Sequence, residues 1–277
     1  MLKDHGYSPA DQRQEARGAQ HPDRDAQLGY LNAQASAFLD AGEPVVSADS
    51  KKKQNVGAYP SGGAKYAPRG DPEATSTYDL IGEAAKVAPY GVYDVAANNG
   101  WVNVGTDADT GALRSSRSGA GGPRQAPWAT RRPRSCWSPR GGGGSGGARL
   151  RLWKTPLGQL AAETALAITT CHLPPATSRW NKVEHRMSCA ITMSWRGRPM
   201  ETHEVLVETT AATTSRTGLR IQAMLHTNTY EQGTKTTDQQ TKTSGAAHLQ
   251  RHVFHGQWSY TVNDAPGNTT TRPNQQI

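Results

Sequence analysis

The sequence predicts an α/β fold, and three observations carry that prediction. Apolar residues recur at helical spacing over residues 22–40 and give way to a short strand; an Asn-Gly pair lies between two strand-like runs; and a helix, a strand and a second helix follow one another between residues 155 and 191. Helical and strand periodicities alternating along one chain are the pattern of helices layered on a sheet.

The first helix places Leu28, Leu31, Ala35, Phe38 and Leu39 on one side and is broken by Ala41-Gly42-Glu43-Pro44. Val45-Val46-Ser47-Ala48-Asp49 reads as a strand that runs into Lys51-Lys52-Lys53. Residues 54–78, rich in Gly, Pro, Ser and Lys, read as an extended loop. Tyr90-Gly91-Val92-Tyr93-Asp94-Val95 and Trp101-Val102-Asn103-Val104 then form a hairpin about Asn98-Asn99-Gly100, whose Asn-Gly pair suits a tight turn with positive φ. Thr155 and Pro156 have the chemistry of an N-cap and a first helical residue, with Leu157, Leu160, Ala161 and Thr164 facing inward. Residues 167–173 form the next strand, stopped by Pro174-Pro175. A further helix starts near Asn181, with Ser178 or Asn181 as its cap and Trp180, Val183, Met187, Ala190 and Ile191 on one face. From about residue 226 the chain is rich in Thr, Gln, Asn and Gly, with few apolar anchors before the run 253–260, and reads as extended or partly disordered.

Composition narrows the function classes. Hydrophobic residues make up 35% of the 277 positions, lean for one packed core. Cys136, Cys171 and Cys189 are scattered and match neither a disulfide framework nor a zinc spacing, so a reducing, cytoplasmic setting is expected. The charged start Met1-Leu2-Lys3-Asp4-His5 is no secretory leader, and no run of about 18 apolar residues is long enough to span a membrane. The net charge of +8 points to an anionic partner such as nucleic acid. That excess is local, because residues 113–154 hold ten Lys or Arg and no acid, leaving 21 basic against 23 acidic residues elsewhere.

Residues 113–149 are Arg, Gly, Pro, Ala or Ser at 31 of 37 positions, a block that cannot build a core. A nucleic-acid tether and a phosphate-cradling loop at Gly141–Gly147 are two readings, but no Gly-Lys-Ser/Thr follows the glycines and only one Arg-Gly-Gly occurs here. The third reading is a GC-rich gene translated out of frame. Codons for Ser115–Gly122 can be chosen that, two nucleotides in, read Glu-Ser-Ile-Arg-Arg-Trp-Trp, and codons for Ser135–Arg140 read Leu-Leu-Val-Thr-Ala at the same offset. Two windows at one offset restore an amphipathic helix and an apolar strand.

With that hidden strand running into the glycines, six motifs stand in order. They are His21-Pro22-Asp23-Arg24-Asp25-Ala26-Gln27, Ser47-Ala48-Asp49-Ser50-Lys51-Lys52-Lys53 and Tyr90-Gly91-Val92-Tyr93-Asp94, followed by Arg151-Leu152-Trp153-Lys154, Trp180-Asn181-Lys182-Val183-Glu184-His185-Arg186 and Phe254-His255-Gly256-Gln257-Trp258. In these the chain resembles the Rhodopirellula-type DDE transposases of the ISAzo group of bacterial insertion sequences, over most of residues 21–112 and 149–261.

The resemblance implies a ribonuclease H-like mixed sheet with flanking helices, its central helix and fourth strand disrupted here. It implies residues 1–40 as the helical remnant of a DNA-binding region, 41–215 as the catalytic domain interrupted over 113–149, and 216–277 as a partly disordered extension. The stretch Leu2 to Ser8 looks like the end of a helix-turn-helix module, so a truncated N-terminus is expected. The resemblance further implies that Asp49 and Glu184 are the first and third of three metal-binding carboxylates. The second belongs where the hidden strand meets the glycines, and Arg140 and Gly141 stand there. Mg²⁺ is the implied cofactor, because cleavage and strand transfer put charge on both attacking and leaving oxygens and hard cations take oxygen ligands. DNA, as element ends and target, is the implied partner, with an oligomer assembled on it. Lys51, Lys52, Lys53, Lys182 and Arg186 are candidate phosphate contacts. The expectation is a transposase inactive as written; the alternative is a non-catalytic nucleic-acid-binding protein that uses its Arg/Gly segment.

Plainer readings stand beside these. Asp49 can cap the turn after its strand, and Asn181-Lys182-Val183-Glu184 resembles a capping box. Lys51 to Lys53 can be a solvated run. Asp107-Ala108-Asp109-Thr110-Gly111 reads as a turn before it reads as a calcium loop, and His252 and His255 read as packing before metal binding. Asp94, inside the hairpin, is a weak candidate for a substitute carboxylate.

Overall fold

A computed structural model describes residues 22–76, 86–106, 135–141, 151–164, 166–174, 181–227 and 249–263. The expected central helix, the Asp107–Gly111 turn, most of the glycine run and residues 228–248 lie outside the described residues, as do residues 1–21.

Helix α1 (Arg24–Asp40) leads into β1 (Val46–Ser50) and the two-residue β2 (Gln54–Asn55), and the hairpin follows as β3 (Lys86–Asp94) and β4 (Asn99–Gly105). Next come β5 (Ser135–Gly141), α2 (Arg151–Thr164) and β6 (Ala167–Leu173). A π-helical turn at Glu184–Ser188 continues as α3 (Cys189–Trp195), before α4 (His203–Ala211), β7 (Arg220–His226), β8 (Leu249–Arg251) and β9 (Ser259–Val262).

In the sheet β1 pairs antiparallel with β3, and β3 with β4, while β7 joins β4 in parallel. A second ladder pairs β5 with β6 in parallel and places β9, then β8, antiparallel beyond β6. β1 and β5 lie side by side, so the two ladders meet there. The apolar cluster on one face crosses that junction: Val46, Ala48, Tyr90, Val92 and Trp101 pack with Ile168, Tyr260 and Val262. Strands of both directions with helices packed on them are the α/β mixed sheet with flanking helices that the sequence predicts.

Alternation along the strands distributes the helices. Val46 and Ala48 face α2, which buries Leu157, Leu160 and Ala161 against them. The opposite face carries Tyr93, Val102 and Val104 against Val183, Met187, Ile191 and Trp195, with Leu206 of α4 completing that layer. α1 covers the same side over β6, packing Leu31 on Val45, Cys171 and Leu173, while the Gln27 amide donates to the His172 carbonyl at 2.8 Å.

Three sequence expectations need correction. The fourth strand, expected to be disrupted, is formed: Ser135–Gly141 pairs in register with all seven residues of β6. Strand pairing is a property of backbone groups and does not require apolar side chains. The hairpin turn is one step earlier than the Asn-Gly pair suggested. Asp94 faces Asn99 across the ladder, Asn98 takes the positive φ of 53°, and Gly100 lies within β4 opposite Tyr93. Helix α2 begins at Arg151, four residues before Thr155 and five before Pro156, so neither opens it. Elsewhere β6 spans the expected residues, β8 and β9 fall in the tail read as extended or partly disordered, and α4 and β7 are elements for which no prediction was made.

Candidate functional site

Asp49 lies near the end of β1, on the face shared with Ser47 and turned away from Val46 and Ala48. That face looks toward the helical segment that starts just after Asn181, so strand parity alone carries the carboxylate to the helix that bears Glu184. Both acids are half-buried.

Hydrogen bonds join the two elements. The Val183 backbone N–H donates to Ser47 Oγ at 3.0 Å, and Ser47 Oγ–H donates to Asn181 Oδ1 at 2.5 Å. Asn181 Nδ2 in turn donates to Asp49 Oδ2 at 2.9 Å, while Asp49 Oδ1 accepts from the Ser50 N–H at 2.8 Å. Asn181, one of the two expected helix caps, therefore has its side chain on the strand carboxylate; the other, Ser178, and Trp180 lie outside the described residues. No side-chain bond of Glu184 reaches back to the helix start among the described residues, so the capping-box reading is not what is observed.

Packing sets the helix close to the sheet. Met187 rests against Gly91 and Gly100, where a Cβ on either glycine would collide with its thioether. Gly91 is also the residue paired with Asp49. The turn at Glu184–Ser188 is π-helical, a widening of the helix often found at functional sites.

Electrostatically the two acids feel each other. Burial raises the Glu184 carboxyl above its usual range, and the Asp49 charge raises it further, with Lys51 and His185 pulling against both. Burial lowers the Lys51 ammonium, which Glu184 opposes and Lys52 reinforces. Its Nζ lies 4.7 Å from the centre of the Trp195 ring, a cation–π contact that holds it beside the acids. Two carboxylates on joined elements, offering oxygen donors only, suit a hard divalent cation, which would relieve their repulsion. Among the described residues no group of three or more His, Cys, Asp or Glu is gathered for a metal ion.

The other candidates divide. Lys52 and Lys53 are exposed beyond Asp49, and Lys182 and Arg186 are exposed on either side of Glu184 in sequence. Asp94 faces Val46, three register steps from Asp49, and its carboxylate accepts the Ala96 and Ala97 N–H groups at 3.0 and 2.9 Å. It is committed to the turn. His252 and His255 pack: His252 Nδ1 bonds the Tyr30 hydroxyl at 2.7 Å, and His255 Nε2 lies 3.2 Å from Asp23 and stacks on Trp258. The residues that sequence reasoning missed are Ser47, unmarked, and Asn181, marked for another role; the signal for Ser47 was its place two residues before Asp49 on one strand face.

Among the described residues no helix is long and apolar enough to cross a membrane. The family model of the Rhodopirellula transposase DDE domain matches residues 1–116 and 139–264, and the interval it omits falls inside the Arg/Gly/Pro-rich segment. Among curated proteins none matches. Solved structures similar to the chain include a Mos1 transposase paired-end complex with left transposon end, at 12% identity and a TM-score of 0.47, and a Mos1 mariner paired-end complex with Mn, at 12% and 0.45. Each is covered over 75% of this chain and 59% of its own, so the chain spans less than two thirds of their length.

Proposed function

Because the chain belongs to the Rhodopirellula transposase DDE domain family, we propose that it descends from a transposase that cuts and joins the DNA ends of a bacterial insertion sequence, and that it lacks one catalytic carboxylate as written. The observation that carries the proposal is the hydrogen-bonded chain from Asp49 through Asn181 and Ser47 to the Val183 N–H, which ties the strand carboxylate to the backbone next to Glu184. A structural capping role for Glu184 gives no reason for that link.

In this reading Asp49 and Glu184 hold divalent ions, with Mg²⁺ the expected metal. When bound, such ions stabilise the charge on the attacking and leaving oxygens of phosphodiester transfer. The chain's own residues do the rest. Asn181 orients Asp49, and the hydrogen-bonded start of the helical segment sets Glu184 opposite. Lys51, pinned over Trp195, presents a cation at the edge of the pair, and Lys52, Lys53, Lys182 and Arg186 supply exposed charge toward the phosphate backbone. Water serves as the nucleophile for cleavage and a DNA 3′-hydroxyl for joining.

The second carboxylate belongs at the end of β5, where Arg140 and Gly141 stand. A compensated pair of frame changes accounts for this, and the match that stops at residue 116 and resumes at 139 supports it. The gene tests it directly: a small frame correction near codon 113, compensated near codon 140, should return an Asp immediately before the glycines. The corrected protein should nick and join its own element's ends with Mg²⁺, and the chain as written should not. Failure of the corrected protein, supplied with the region upstream of the catalytic domain, would sink the enzymatic reading. Salt-dependent DNA binding that survives Asp49→Ala and Glu184→Ala but vanishes on deleting residues 113–149 would favour the binding-protein alternative.

A further inference from the structure

We infer that Asn181 is the positioning residue of the carboxylate pair, acting with Ser47 to lock the Asp49 carboxylate to the helical segment that carries Glu184. The inference rests on the reading that Asp49 and Glu184 hold the metal.

Hydrogen-bond directions make the arrangement specific. A serine hydroxyl has one hydrogen. Ser47 Oγ already accepts from the Val183 N–H, so its hydrogen goes to Asn181 Oδ1. That assigns the amide: its oxygen faces Ser47 and its nitrogen faces Asp49 Oδ2. The flipped amide would set an oxygen against the Asp49 carboxylate and lose that bond, so the carboxylate fixes the orientation. Ser47 and Asn181 are 0% and 1% exposed, so water cannot readily replace either partner.

The consequence is mechanical. Val183 directly precedes Glu184, and a backbone bond from the Glu184 N–H to the Asn181 carbonyl at 3.1 Å closes the same turn. Three bonds in series therefore run from the strand carboxylate to the backbone beside the helix carboxylate. Two like charges facing each other tend to swing apart, and the donor amide on Asp49 opposes this without any ion present. The pair is preorganised for a cation.

The test is Mn²⁺ binding to the full chain, followed through the paramagnetic resonance signal of the free ion. Asn181→Leu and Ser47→Ala should each weaken binding by about tenfold or more, the range typical of residues that orient metal ligands, whereas Ser47→Thr, which keeps the hydroxyl, should stay within about threefold. Ile191→Val trims the buried face of the same helical segment outside the relay and should leave binding unchanged. Asp49→Asn and Glu184→Gln should abolish it. If those two bind Mn²⁺ like the parent chain, the metal reading fails and the inference falls with it. If they abolish binding but Asn181→Leu and Ser47→Ala do not weaken it, the inference alone is overturned. It is equally overturned if Ile191→Val loses as much as the relay variants, because the effect is then general loosening. Should Asn181→Leu lose its cooperative unfolding transition, Ser47→Ala and Ser47→Thr decide.

Discussion

Glu184 is held in an electrostatic conflict that a bound cation would relieve. Its carboxyl is raised by burial first and by the Asp49 charge second. A raised folded-state value means the fold favours the protonated form. This group's contribution to stability is therefore present below the unfolded carboxyl value and is lost as pH rises through the raised one. Glu184→Gln removes the penalty, so the metal-free variant should melt above the parent at neutral pH and converge with it in acid, each ~1 kcal/mol moving Tm by about 2–4 °C in a domain of this size. Added Mn²⁺ should reverse the ranking by stabilising only the parent. Thermal unfolding at pH 4 to 8, with and without metal, checks both. Asp49 and Glu184 stood out in the sequence because each lies in a motif, and their elements are joined in the fold. The role of Asn181 was not legible: a cap and a carboxylate anchor use the same side chain, and only the passage of β1, 132 residues away along the chain, decides between them.

At the scale of elements, the helical segment reaches the sheet because two glycines leave room for one methionine. Gly91 on β3 and Gly100 on β4 present bare backbone to Met187, which is 1% exposed. A methyl group there overpacks the interface, so Gly100→Ala should destabilise the chain by about 1–3 kcal/mol in denaturant unfolding. Met187→Ala should be costly alone, yet combined with Gly100→Ala it should cost clearly less than the sum of the two, because the clash is gone. Additivity would mean the glycine serves its strand and not the helix. This also explains why the Asn-Gly pair misled. It signals a turn by composition, but Asn98 took the left-handed position, where its side chain accepts from the Tyr93 hydroxyl at 2.9 Å and donates to the Thr217 carbonyl at 2.8 Å. The glycine was left free for packing. Helix α2 teaches the same lesson from the other side: its inward residues Leu157, Leu160 and Ala161 were readable from spacing, whereas Thr155 and Pro156, which carry the chemistry of a helix start, lie inside it.

For the whole molecule, the two outer stretches of the described chain are fastened to each other. Tyr30 of α1 bonds His252 and packs on Phe254, and the Trp258 carbonyl accepts the His172 N–H at 2.9 Å. The order of elements was readable, but this fastening was not, since it needs both partners in place. Burial lowers the His252 imidazole below its usual value of 6.5, so its contribution to stability is present above that value and lost as pH falls through the depressed one. Amide protection in α1 and β9 should therefore fall together on acidification from neutral pH, while β3 and β4 hold. Tyr30→Phe should loosen the same two elements at neutral pH by about 1 kcal/mol. Loss in α1 alone would mean that the two stretches open independently.

The strand at Ser135–Gly141 carries a last consequence, one of inheritance. Its ladder with β6 joins main chain to main chain, which asks little of the side chains and accommodates even Pro139, a residue with no N–H to donate. A gene can therefore drift through a wrong reading frame there and still specify a continuous sheet. Selection on shape would not notice the change; selection on chemistry would notice at once. Under the frame change proposed above, decay in such a lineage would erase the reaction before it erased the architecture.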